Sequence, residues 1–256
     1  MIIIESKRKQ IENIRKKYPD AIIHDVTSHA TDAFVKFSPF YPHGGIPVPF
    51  SGNITAMSVE SIWQGLKDYD SVGIDISVFK NDTMKDLKRT MRKYGSMKGH
   101  KKGVAGSEHL GYIEARKQIY LPAYKWVLEH RLRFLIEKLK EESAEHTVVL
   151  LDYNTNPDVE DRSSPLSHAS LIKAYIEGTY LDCGSEGETS ETKAPEVQYD
   201  FSKGDKVNHP TFGEGTIKAV SPGRLTVSFK RVGEKVLATK FCKLERMEKI
   251  INKFVY

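Results

Sequence analysis

The ten residues "SVESIWQGLK" (58–67) set one carboxylate, one amide and one ammonium among apolar side chains. At 100° per residue, Glu60, Gln64 and Lys67 share one stripe of a helix, spaced i, i+4, i+7. Val59, Ile62, Trp63 and Leu66 make the apolar face beside it, and Ser61, Gly65 and Asp68 lie opposite, toward water. The flank of a buried face is where a cleft can open. A carboxylate there can assist proton transfer or stabilise a developing cation. A half-buried lysine can lose its proton and attack as an amine. The plainer reading is a solvated flank that supports its helix by roughly a few tenths of a kcal/mol. A second polar cluster, Asp152, Asn154, Asn156 and Asp158, leaves the apolar run "TVVLLDY" (147–153). Polar groups collect at such strand ends in α/β sites, and the same residue types also form turns. His168 offers a base or a ribose partner, or else a buried, satisfied imidazole. Arg116, with Lys98, Lys101 and Lys102 around Gly99, could hold phosphates, with solvated surface as the alternative for the lysines.

The elements that must position these groups follow from periodicity and punctuation. Residues 6–17 form a helix with Ile11 and Ile14 inward, ended by Pro19. "AIIHDV" (21–26) and "AFVKF" (33–37) read as short strands. The Pro- and Gly-rich run 38–53 is a loop. Helices follow at 58–69, 83–94 and 109–142, the last kinked or restarted at Pro122. The run 147–153 is a buried strand. The segment 164–178 is a helix with Pro165 near its start and Gly178 at its stop. These elements make an α+β fold: a largely helical N-terminal domain with a small sheet over residues 1–180. Residues 181–199, acidic and nearly free of apolar side chains, are a flexible linker. Residues 200–246 alternate as short strands between Gly-containing turns, a small all-β barrel, with 247–256 as a tail.

Composition narrows the class. The chain has 256 residues and a net charge of +5, with no apolar run long enough to span a bilayer. The start, "MIIIESKRKQ", lacks the order of charge and apolar run that a signal peptide has. The expectation is a cytoplasmic protein. Cys183 and Cys242 share no metal or redox spacing, so neither a metal nor a cofactor is expected. Between residues 80 and 102 nine Lys/Arg stand against Asp82 and Asp86, and the chain beyond Phe201 is basic again. Nucleic acid is a candidate partner for such regions, and solvated charge is the alternative.

Two resemblances add to this reading. "FSPFYP" (37–42) followed by Val59, Glu60, Trp63, Gln64 and Lys67 resembles the signature of the NADAR (YbiA-like) superfamily, with Ile62 where the pattern has a second aromatic. The resemblance implies an N-glycosidase acting on an ADP-ribose–guanine or related ribosyl bond, with Glu60, Lys67 and Asp152 as catalytic candidates. It makes Phe40, Tyr41, Gly44, Gly45, Trp63, Gln64, Asn154, His168 and Arg116 the substrate-binding candidates. Aromatics would stack on a base and glycine amides would meet a phosphate. "FSKGDKVNHPTFGEGTIKAV" with "LTVSFKRVGEKVLATKF" resembles the Tudor-like domain at the C-terminus of UvrD/PcrA-type helicases. It implies an SH3/Tudor-like docking module for RNA polymerase, and a structural place for His209 at a strand end. Together they imply removal of ADP-ribose from nucleic acid in a bacterial or phage defence setting. A nucleotide-binding adaptor without catalysis, and a glycosidase of riboflavin-pathway intermediates, are the alternatives.

Overall fold

The computed structural model describes residues 1–181, 203–209, 211–221, 224–238 and 245–246; the acidic linker and the tail fall outside them. The chain divides into two units, Met1–Glu186 and Gly187–Tyr256. The first is α+β. In chain order it contains β1 (Ile2–Ser6), α1 (Ile11–Lys17), β2 (Ile22–Asp25), β3 (Ile46–Pro47), β4 (Thr55–Ala56) and α2 (Val59–Gly65). Then come β5 (Lys67–Tyr69), α3 (Met91–Tyr94), β6 (Met97–Lys101), β7 (His109–Leu110) and α4 (Tyr112–Ala115). After α4 come α5 (Leu121–His130), α6 (Arg133–Glu145), β8 (Val148–Asp152) and α7 (His168–Ile176).

The frame of the unit is a three-stranded parallel sheet in the order β1-β8-β2. Both neighbours meet β8 in parallel, Ile2 and Ile22 each opposite Val148. A strand paired on both edges and covered on both faces needs apolar residues at every position, which is why "VVLL" runs without alternation. Val149 and Leu151 pack with Ile14 of α1 on one face, while Val148 and Leu150 join the main core on the other. All three strands therefore end on one edge, followed by Arg8, by Thr27–His29 and by Tyr153–Asn154. In open α/β sheets ligands collect at the carboxyl ends of the strands.

Several expected elements change character. The expected helix over 6–17 begins at Ile11, because "MIIIES" is taken up as an edge strand beside β8. "AFVKF" is a 3-10 turn, not a strand: Asp32 Oδ1 accepts from Phe34 N, and Phe34 and Phe37 point into the core. Over 83–94 only Met91–Tyr94 is helical, since Asn81 and Thr83 bond local backbone groups and Asp86 takes a left-handed φ of 57°. The helix expected over 109–142 runs as α4, a π turn at Arg116–Tyr120 and α5, with Pro122 in the first turn of α5. Its real break is at Arg131–Leu132.

α2 departs most from the expected pattern. It stops at Gly65 because the backbone beyond is claimed by sheet pairing: Lys101 N donates to Leu66 O at 2.8 Å, and Lys67 pairs with His100. Lys67 thus begins β5 and does not share a helical face with Glu60. Ser61 and Gly65, expected to face water, are buried. Ser61 belongs to a capping box with Ser58. Gly65 lies under Phe79, where a Cβ would come within 2.3 Å of the ring.

The second unit is an antiparallel sheet of β9 (Lys206–His209), β10 (Gly213–Ser221), β11 (Arg224–Phe229), β12 (Gly233–Ala238) and β13 (Glu245–Arg246), ordered β12-β11-β10-β9-β13. Val207, Ile217, Leu225, Val227 and Phe229 form its core. No pairing among the described residues closes this sheet, so the expected barrel is corrected to an open, bulged sheet. Gly215 is required where it stands, since a Cβ there would meet Phe229 at 2.7 Å. His209 does sit at a strand end, its Nδ1 accepting from Thr211 N and Phe212 N while its ring stacks on Phe212.

The packing of Gly65 against Phe79 yields a stability prediction. Gly65→Ala should cost about 1–3 kcal/mol by overpacking against a ring that has no room to move. Phe79→Leu in the same chain should recover part of that loss, as read by urea denaturation. An unchanged midpoint for Gly65→Ala would show that the helix can shift.

Candidate functional site

At the carboxyl edge of the parallel sheet lies a cavity of about 640 Å³. It is lined by strand-end residues (Arg8, Thr27, His29, Asp152, Asn154), by α2 (Glu60, Trp63) and by Tyr112 and Tyr120 from either side of the π turn. Phe40, Met84, Lys88, Tyr153, Arg116, Leu166 and His168 complete much of the wall. Sequence reasoning thus brings Phe40, Glu60, Trp63, Asp152, Asn154, His168 and Arg116 together correctly. Tyr41, Gly44, Gly45, Gln64 and Lys67 do not line it.

Glu60 is held on one side only. The α2 backbone enters beneath Pro39, whose carbonyl accepts from Glu60 N at 2.8 Å. Gln64, one turn on, donates Nε2–H to Glu60 Oε1 at 2.6 Å and accepts Arg89 N–H on its own Oε1 at 2.8 Å. That second bond fixes which way the amide points. Oε2 has no protein partner among the described residues and belongs to a side chain that lines the cavity. Burial pushes the carboxyl above its ordinary range, against the Gln64 bond and the charges of Lys67 and Lys88. The result is a carboxyl that keeps its proton readily, carried on the oxygen that faces the cavity.

Asp152 is the opposite case. Its Oδ2 accepts from Ser167 Oγ at 2.8 Å and from Ala169 N at 3.3 Å, and stands 3.0 Å from His168 Nδ1. Its Oδ1 accepts from Tyr153 N at 2.7 Å. Burial alone would raise this carboxyl, but the His168 charge and the hydrogen bonds hold it below its usual range. His168 Nε2 in turn donates to Val26 O at 2.8 Å. Burial would lower the imidazole, and Asp152 outweighs it, so the ring sits above its ordinary value. Both ring nitrogens act as donors, to Asp152 and to Val26, so the ring is a cation with no lone pair for base catalysis.

Other expected binders turn out to be structural. The Arg116 guanidinium donates to the carbonyls of Val159, Asp161 and Ser164 and to Tyr112 Oη, pinning the 153–167 loop. Asn156 and Asp158 are turn formers in that loop, each accepting a backbone N–H two residues on. Gly44 and Gly45 take left-handed φ values of 72° and 65°, and their turn is tied to Met57 O and to Arg131 instead of lying open to a phosphate. Tyr41 leans on His43. Lys67 donates to Arg89 O at 3.3 Å, and burial lowers its ammonium against the pull of Glu60. Trp63 packs its inner face on His100, ring centres 3.8 Å apart, and presents the rest to the cavity. His100 is fully buried with neither nitrogen bonded, and burial drives it down to about 3.

Tyr120, Tyr112, Arg8 and Lys88 escape sequence reasoning. Burial, then the charges of Glu60 and Asp152, push the Tyr120 phenol well above its normal range, which marks it as a neutral donor standing between the two carboxylates. Reading "MIIIES" as a parallel strand would have found Arg8, because it follows that strand directly. Among the described residues no group of three His, Cys, Asp or Glu side chains is placed to hold a metal ion, and no helix is long and apolar enough to cross a membrane.

The Asp152–His168 pair carries a pH signature. The imidazole's contribution is complete below its unfolded value, about pH 6.5, and is lost as pH rises through its raised folded value. The carboxylate's contribution is present above about pH 4 and is lost as pH falls through its lowered folded value. Stability should therefore be greatest between those limits and decline on the alkaline side. His168→Gln should cost about 3 kcal/mol at pH 5.5 by leaving Asp152 buried and unpaired, and the gap to wild type should narrow by pH 9. Denaturant midpoints across pH check this; a gap independent of pH would disprove the imidazolium.

Comparison with curated proteins finds none that matches. Residues 201–247 match a family model described as a protein of unknown function (DUF3553). Residues 6–172, more than half of the chain and including nearly every residue around the cavity, match the model described as a family of unknown function (DUF6939), and the chain belongs to that family.

Proposed function

We propose that the first unit is an N-glycosidase that hydrolyses a bond between ribose and a base, with Glu60 as general acid. One observation carries this: a buried carboxyl of raised pKa whose only free oxygen faces a cavity walled by Phe40, Trp63, Tyr112 and Tyr153. Rupture of an N-glycosidic bond leaves electrons on the base and positive charge on the sugar. A proton delivered from Glu60 Oε2 to the departing ring nitrogen meets the first need. The fixed negative charge of Asp152, which cannot give up a proton it does not hold, favours the second from the strand end. The Tyr120 hydroxyl is suited to orient the attacking water. Aromatic faces suit a base, and the exposed Arg8 and Lys88 suit the phosphates of an ADP-ribose-type substrate.

The resemblance of "FSPFYP" and the α2 residues to the NADAR signature supports the same chemistry, with guanine carrying ADP-ribose as the preferred substrate. A Schiff-base route through Lys67 is not part of the proposal, because its ammonium is engaged at Arg89 O, outside the cavity. For the second unit we keep the docking role that its resemblance implies, to be tested by RNA polymerase pull-down with and without residues 201–256. A binder without turnover is the second reading, favoured by the full internal hydrogen bonding of Asp152, His168 and Arg116.

The test is Glu60→Gln, which keeps the shape and the Gln64 neighbour. On ADP-ribosylated guanosine kcat should fall on the order of 10²–10⁴-fold with little change in KM. Wild-type kcat should decline as pH rises through the raised Glu60 value, because the acid form is the working one. Unchanged kcat would eliminate the reading, and binding without any wild-type turnover would favour the binder.

A further inference from the structure

The segment from Lys80 to Lys98 crosses the opening of the cavity, contributing Met84 and Lys88 to its wall. Its basic side chains divide by direction. Arg89 turns inward: its guanidinium donates to the carbonyls of Gln64, Lys67 and Gly73 and lies between the rings of Tyr69 and Tyr94 at 5.0 and 5.2 Å. Lys67 Nζ and Tyr69 Oη grip the Arg89 carbonyl in return. Ser71 Oγ donates to Tyr94 O, and Asp70 N to Ser96 O. This anchoring holds an otherwise irregular backbone in place. Lys80, Lys85, Lys88, Arg92 and Lys93 are left exposed, and none has a carboxylate ion pair among the described residues. Asp82 and Asp86 are the only acids in the segment, and they do not neutralise it.

We propose that this segment is a track for a single nucleic-acid strand, from which one unstacked nucleotide enters the Glu60 cavity. The inference rests on the proposed ribosyl chemistry for what happens inside the cavity, but not for the binding itself. A row of unpaired cations on a fixed backbone suits a repeating phosphate chain, whose binding releases counterions. The aromatic wall begins where the row ends: Lys88 Nζ stands 5.8 Å from the centre of the Phe40 ring. A base leaving the strand there would meet a stacking surface at once. A single strand presents its bases without the cost of unpairing, which a duplex would impose. An anionic membrane could satisfy the same charges but has nothing to place in a cavity holding a buried carboxyl.

The test uses the full chain and a fluorescein-labelled 15-nucleotide single-stranded DNA, read by anisotropy between 50 and 200 mM NaCl. The comparison is the triple variant Lys85→Gln/Arg92→Gln/Lys93→Gln, none of which lines the cavity. Wild type should bind the strand more tightly than the same sequence as duplex. The triple variant should weaken strand binding at least tenfold at low salt. It should also make the slope of log K against log[NaCl] shallower by about 2, at roughly 0.7 for each phosphate that the variant no longer neutralises. Its turnover of ADP-ribosylated guanosine should match wild type. An unmoved slope, a preference for duplex, or a loss confined to phosphatidylserine vesicles would overturn the track. Hydrolysis lost in Glu60→Gln with an unmoved slope would overturn the track alone. The expected slope change with no effect of Glu60→Gln on hydrolysis would overturn the glycosidase reading alone.

Discussion

One carboxylate holds the working edge of this protein together. Asp152 ends the central strand, caps the start of α7 through Ser167 and Ala169, and charges His168, which reaches across to the carbonyl of Val26 just past β2. Three elements remote in sequence are joined by one buried side chain. Such a group is costly to bury and costly to break, because any partner removed leaves an uncompensated charge in low dielectric. What makes it tolerable is saturation: every strong acceptor direction is used. The cavity can then stay open and polar without its floor loosening.

The second carboxyl works by the opposite arrangement. Glu60 has one oxygen tied and one free, and the tie runs through Gln64 to the backbone of Arg89. The rim of the cavity and its acid are thus positioned by the same amide. Two acids in one cavity are pushed in opposite directions, one kept ionised by hydrogen bonds and one kept protonated by burial. Such separation of two acids by their surroundings is how acid and anion roles coexist near neutral pH.

The fold class, the buried strand at 148–152, the helix after Pro165 and the core face of α2 were legible because each rests on local periodicity or punctuation. So was the gathering of Glu60, Trp63, Asp152, Asn154 and His168, since a polar flank beside an apolar stripe and a polar strand end both mark edges. What was not legible depended on partners far along the chain. Nothing near Lys67 says that Lys101 will claim the carbonyl of Leu66 and end the helix. Nothing near "MIIIES" says that residues 148–152 wait to pair with it. The direction of Ser61 and Gly65 failed for a related reason: a helix wrapped by the 3-10 turn at Ile76–Lys80 has no water-facing side. The open sheet of the second unit shows the same limit, for alternation identifies strands but not whether the last pairs with the first.

The π turn at Arg116–Tyr120 has a consequence for how this helix can change over evolutionary time. Tyr112 and Tyr120 both line the cavity although eight residues separate them. In an unbroken α-helix they would stand about 80° apart around the axis. A single widened turn sets the second back by roughly one residue's rotation and returns both to one side. The extra residue therefore acts as a phase correction: losing it would leave the two ends of the helix packed as before while swinging one tyrosine off the wall. The length of this stretch, more than the identity of most of its side chains, is what the cavity would hold constant.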